Sequence, residues 1–305
     1  MADGEVPNTL VLARPRSPYL SLGFHQSFDE EIDPSFLVRR PMPWLRRVEG
    51  GGATYLDPDQ AFYQLVYVDE GGGTGGPSDL QRFLQAPARA ARDLGLPTEL
   101  RSPSDLVAGG RKLSGNAGGD WDGAHVLVGG YLLRADTRSM SEMLALPHPA
   151  LRPLLRREIE RWVTSWEKEV GVVPSQEELR RALLEAFERE GLFRVRAGSP
   201  CPREEARFLT ETLPRHEDPA WRELKPLPKR PGDPLRRIRV AGPHGLIVLP
   251  CRSGEGLWAA VMGAGQLQEG YHLDPREDAV LRPVREGSAE WSELRQAVGA
   301  VPPFG

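Results

Sequence analysis

Short apolar runs bounded by Pro and Gly open the chain. Residues 8–13 and 19–23 fit strands of this kind. Residues 24–33 are polar and read as loop. Residues 53–56 and 61–68 read as strands, and the second is aromatic and β-branched enough for a central position. Ser78 can cap a helix over 79–94, disturbed by Pro87. Residues 105–107 and 125–133 predict strands that enter and leave a glycine-containing turn at 109–117. A short helix is expected at 139–144. Leu151, Leu154, Leu155, Ile159, Trp162, Val163 and Trp166 recur on one helical face. Ser175 with Glu178 forms a capping box before a helix to about residue 190, and a third helix is expected over 204–213.

Residues 225–234 hold four prolines and mark the best boundary. The expected division is a catalytic domain at 1–225, a linker at 226–234 and a small accessory domain at 235–305. The last part predicts strands at 235–240, 245–250 and 257–262 and a helix near 288–298. Together these elements predict an α+β fold, with a mixed β-sheet and flanking helices followed by a small α+β module.

Composition narrows the function. The 305 residues carry a net charge of −4, which gives no basic field for nucleic acid. Cys201 and Cys251 form neither a disulfide framework nor a zinc pattern. The six histidines do not cluster at ligand spacing, so no protein-held metal is expected. No apolar run reaches the roughly 18 residues of a membrane span. The start, Met-Ala-Asp-Gly-Glu, does not read as a signal peptide. A cytoplasmic protein is the expectation. The run at 71–77 is glycine-rich, but no Lys-Ser or Lys-Thr follows it, so it is not a P-loop.

Two stretches carry chemistry. Gly110-Arg111-Lys112-Leu113-Ser114-Gly115-Asn116-Ala117 sets a lysine beside small residues, which suits a phosphate or carboxylate. Upstream, Arg46-Arg47-Val48-Glu49-Gly50-Gly51-Gly52-Ala53 joins arginines to a glycine triplet against which a ligand can lie. In this order the pair resembles the lipoate–protein ligase family of the biotin and lipoate ligase superfamily. Residues 19–26, the helix after Ser175, and residues 204–221 extend the resemblance. The sequence departs from the family at Glu49, where the family has a small hydroxyl residue. Histidines expected near Leu56 and Val128 are also missing, as is a glutamine at Gly118.

The resemblance implies that lipoate or octanoate attacks ATP to form an acyl-adenylate. The acyl group then passes to a lysine of a lipoyl-carrier protein, either a glycine-cleavage H-like protein or an E2 lipoyl domain. Magnesium accompanies the nucleotide. On this reading Lys112 is the catalytic residue. Arg47, Glu49, Gly50, Gly51, Gly52, Ser114 and Gly115 bind the adenylate. Asn116 and Ala117 form a turn that closes over it, and Asp57 matches the aspartate after the glycine loop. The missing histidines leave open a separate partner chain. Two alternatives also stay open. One is an ATP-independent octanoyl or lipoyl transferase, which needs a thiolate nucleophile. The other is a non-catalytic carrier-binding relative.

Overall fold

A computed structural model describes residues 6–68, 77–101, 104–191, 194–224, 236–241, 244–251, 256–274 and 280–301. The glycine-rich run at 71–76 and the expected linker at 226–234 lie outside the described residues.

Strands β1 (Thr9–Ala13) and β2 (Tyr19–Leu22) form where the apolar runs place them. The polar stretch that follows is not all loop. It holds α1 (Phe28–Glu31) and leads into α2 (Pro34–Arg39), whose first turn is capped by the Asp33 carboxylate. Their apolar side is only a few residues wide, Ile32 and Phe36 being buried, so charged neighbours hide the pattern. Next come β3 (Trp44–Arg46), β4 (Thr54–Leu56), β5 (Gln60–Tyr67) and α3 (Pro77–Asp93). Helix α3 runs through Pro87, whose carbonyl accepts the Tyr131 hydroxyl.

After β6 (Glu99–Arg101) and β7 (Asp105–Ala108), the chain reverses at Gly109 and Gly110 with φ of 53° and 75°. It then enters β8 (Arg111–Trp121) and β9 (Ala124–Leu132). The lysine stretch is thus a tight turn followed by a strand. Asn116 and Ala117, expected in a closing turn, lie on that strand.

Helices α4 (Thr137–Glu142), α5 (Arg152–Trp162), α6 (Trp166–Val170) and α7 (Gln176–Arg189) follow. The apolar stripe at 151–166 is not one helix. Val163 is extended and forms a parallel bridge with Lys112, and Ser165 caps α6. The Ser175–Glu178 capping box forms as the spacing predicts. The helix expected over 204–213 is broken into α8 (Pro202–Arg207), a π-turn at Phe208–Thr212, α9 (Leu213–Glu217) and α10 (Pro219–Arg222). Pro214 and Pro219 lack the N–H groups a continuous helix needs. The chain finishes with β10 (Arg236–Ala241), β11 (His244–Pro250), β12 (Leu257–Gly263), β13 (Gln266–Leu273), β14 (Leu281–Pro283) and α11 (Ala289–Gly299).

The six-stranded sheet has the order β1-β5-β9-β8-β7-β6 and is antiparallel throughout. One face buries Tyr63, Leu127 and Tyr131 against α3 and α7. Parallel pairing, between β2 and β3, occurs in a three-stranded sheet ordered β3-β2-β4. Strands β10 to β14 form a third sheet in sequence order, which packs α5 on one side and α11 on the other.

Arg46 ends β3 fully buried. Its guanidinium donates to the carbonyls of Gly23, Phe24 and Gln26 and to those of Trp221, Arg222 and Leu224, at 2.6–3.1 Å. The Trp221 indole returns a bond to the Arg46 carbonyl at 3.1 Å. One side chain therefore ties two distant segments together, its charge met by carbonyl dipoles. Arg46→Leu strands these carbonyls, that of Gly23 being buried, and is expected to lower unfolding free energy by about 1–3 kcal/mol. Urea denaturation measures this, and a loss below about 1 kcal/mol would mean the carbonyls find other donors.

Candidate functional site

Alternation along β8 would put Lys112, Ser114 and Asn116 on one face. A bulge prevents this. Leu106 pairs with Ser114 but Val107 pairs with Lys112, so Leu113 is an extra residue. Leu113 and Ser114 both turn into the helix-covered core, and Lys112 moves to the opposite face with Gly115. A Cβ built at Gly115 would lie 3.4 Å from Lys112 Cε and 3.5 Å from its Nζ. The ammonium makes an ion pair with Asp105 Oδ1 at 2.9 Å, and the Asp105 side chain is only 2% exposed. An ammonium has three donors, so one carboxylate oxygen does not exhaust it.

The glycine loop comes to this same face. A Cβ at Gly51 would lie 3.8 Å from Ala117 Cβ, and one at Gly119 would lie 3.7 Å from Glu49 Cα. Gly115, Ala117 and Gly119 offer almost no side chain, so backbone and ligand can approach closely. At Gly23, a Cβ would stand 2.1 Å from the Gly51 carbonyl oxygen, which requires glycine there. The structure therefore joins two sequence-predicted stretches more than fifty residues apart.

Arg47 does not reach outward as its sequence context suggests. Its guanidinium donates to the carbonyls of Gly50 and Gly52 and to the Ser21 carbonyl, at 2.6–3.2 Å. It shapes the loop from within. The peptides are trans, so the Gly51 and Ala53 amides point away from Arg47. Glu49 is 5% exposed and accepts from the Gln64 amide at 3.4 Å. Burial pushes its carboxyl above the ordinary range, against its own backbone amide and Arg47.

Other predicted site residues lie elsewhere. Ser114 and Asn116 face the core. The Tyr63 hydroxyl donates to Asn116 Oδ1 at 2.8 Å and lies 3.0 Å from Ser114 Oγ, while Asn116 Nδ2 donates to the Ser104 carbonyl. Their task here is to pin β8. Asp57 accepts from the Asp59 amide in the β4–β5 corner, where burial raises its pKa and Asp59 and Asp136 add to the rise.

Sequence reasoning missed Asp105, Gln64, Thr164 and Glu169. The first two had a signal: Asp105 opens an apolar strand, and Gln64 interrupts the aromatic and β-branched run of β5. Thr164 donates its amide to the Lys112 carbonyl at 2.9 Å. Glu169 binds Arg111 at 2.7 Å and the Thr164 hydroxyl, clamping the β7–β8 turn. Nothing in the local sequence of α6 announces that contact.

This architecture is the α+β fold of biotin and lipoate ligase catalytic domains, followed by a C-terminal module. Residues 1–188 match the lipoyl protein ligase A/B catalytic domain, and the chain belongs to that family of enzymes. It is 28% identical over 207 residues to octanoyltransferase LipM of Kyrpidia tusciae, covering 60% of this chain and 76% of the relative. It is 31% identical over 100 residues to lipoate–protein ligase LplJ of Bacillus subtilis, covering 33% of this chain and 29% of that one. Among solved structures, a bipartite lipoate–protein ligase of Thermoplasma acidophilum, studied with its E2 lipoyl domain, superposes with a TM-score of 0.66. That match has 22% identity and covers 74% of this chain and 88% of the other. Among the described residues, no helix is long and apolar enough to cross a membrane.

The raised carboxyl of Glu49 makes a test of its burial. A carboxyl that titrates higher in the folded chain costs stability once pH climbs through its folded pKa. Glu49→Gln is therefore expected to raise the denaturation midpoint at neutral pH, with the gain fading toward about pH 4. A gain that does not vary with pH would refute the buried, unfavourable charge.

Proposed function

We propose that this chain is an ATP-dependent lipoate–protein ligase. The observation that carries the reading is Lys112, held by buried Asp105 and turned by the bulge onto a glycine-open face opposite the 47–52 loop. Both half-reactions gather negative charge on phosphate or acyl oxygens, and a fixed cation beside backbone amides stabilises such charge before it develops. Lys112 holds the acyl and α-phosphate oxygens. Arg47 keeps the loop rigid by binding its carbonyls. Magnesium, carried by the nucleotide, offsets triphosphate charge. Residues 1–225 form the catalytic domain and residues 235–305 an accessory domain, and the reaction takes place in the cytoplasm. The carrier is a lipoyl domain, by analogy with the E2 domain of the Thermoplasma system.

The similarity to LipM favours a second reading, acyl transfer without ATP. That chemistry asks for a thiolate. Cys251 is buried in the apolar cluster between the C-terminal sheet and α11, where burial pushes its thiol up to about 11. Cys201 starts α8, its amide bound to Glu204 at 2.8 Å. The Cys251 setting disfavours a thiolate, which counts against that cysteine as a nucleophile and supports the ligase.

The deciding measurement is the mass of an apo lipoyl domain incubated with the protein, magnesium and lipoate, with and without ATP. A gain of one lipoyl group only with ATP is expected. Transfer from octanoyl-carrier protein without ATP, lost in Cys201→Ser, would establish the transferase instead. Lys112→Ala is expected to cut acyl-adenylate formation at least about a hundredfold. An unimpaired variant would remove Lys112 from the chemistry.

A further inference from the structure

The open face has two ends. Lys112 and Gly115 mark one. Four residues further along β8, about 13 Å at strand rise, Gly119 lies against Glu49. Alternation puts Trp121 on this face as well, beyond Gly119. Ala117, Val128 and Gln64 share one row across β8, β9 and β5. The Gln64 amide meets the Glu49 carboxyl at 3.4 Å, so these two side chains lie over that row. A ligand extended from Lys112 along Gly115 and Ala117 therefore meets a polar pair, Glu49 buried and Gln64 half-buried, beside Val128.

We propose that Glu49, held by Gln64, closes the distal end of the acyl slot and selects acyl groups whose far end bears a polarisable or hydrogen-bonding group over plain alkyl tails. The proposal rests on the reading above that places the acyl group at Lys112. A terminal methyl at that position would desolvate the pair and return nothing. A ring carrying sulfur, as in lipoate, can accept weakly from the second N–H of the Gln64 amide. Burying a polar group without compensation costs enough to change affinity roughly tenfold.

Calorimetric binding of lipoate and octanoate to the full chain, with acyl-adenylate followed by mass spectrometry, tests the assignment. The wild-type chain is expected to prefer lipoate. Glu49→Ser is expected to shrink that preference about tenfold, by improving octanoate, while Glu49→Gln keeps it. Gln64→Leu should act in the direction of Glu49→Ser and serves if that variant does not fold. Equal affinities in the wild-type chain, binding of neither acid, or a ratio unmoved in both Glu49→Ser and Gln64→Leu would overturn the proposal. A ratio that shifts while no protein forms adenylate supports the slot assignment and sinks the ligase reading. Adenylate formation with an unmoved ratio does the reverse.

Discussion

A β-strand offers its side chains to two faces in strict alternation, and β8 has to serve a hydrophobic core on one and an anion on the other. The extra residue at Leu113 reconciles these demands. Without it, Lys112 would share the face of Ser114 and Asn116, under α3 and α7, where an ammonium has no place. With it, the strand keeps Leu113 and Ser114 in the core and turns Lys112 outward beside Gly115. The Tyr63–Ser114–Asn116 network then fixes the strand from behind. Hydroxyl and amide groups drawn in by the same motif as Lys112 thus act as its foundation.

The arginine pair divides labour in a comparable way. Arg46 faces inward and gathers the carbonyls of two distant segments. Arg47 gathers those of the glycine loop. Guanidinium groups suit this because their donors spread in a plane and stay charged when partly desolvated. The loop needs such help, since three successive glycines supply no side-chain packing of their own.

The strands, the capping box and the order of the two motifs were legible because each is a local pattern. What stayed hidden depends on partners far along the chain. Nothing near Arg46 indicates that its acceptors sit at 221–224. The break at Val163 is invisible in the apolar stripe, because the bond from Thr164 to Lys112 that rewards it is made fifty residues away. The turn expected at 116–117 is a strand because residues 114–121 pair with β9 along their whole length, and the small side chains that suggested a turn are the ones that leave the face open. Glu49 stood out as a departure at a small-residue position, and only the register of β5, β9 and β8 brings Gln64 to it.

Helix α5 links the C-terminal sheet to β8. Its apolar side is buried against β10, β11 and β12, and Trp162 stacks on His244 at 3.4 Å. One residue on, Val163 bridges to Lys112. Local opening of the C-terminal sheet would uncover α5 and loosen that bridge, so the two regions share a cooperative unit. The Thr164 amide, bonded to the Lys112 carbonyl, then exchanges with solvent at a rate set by a sheet in which it takes no part.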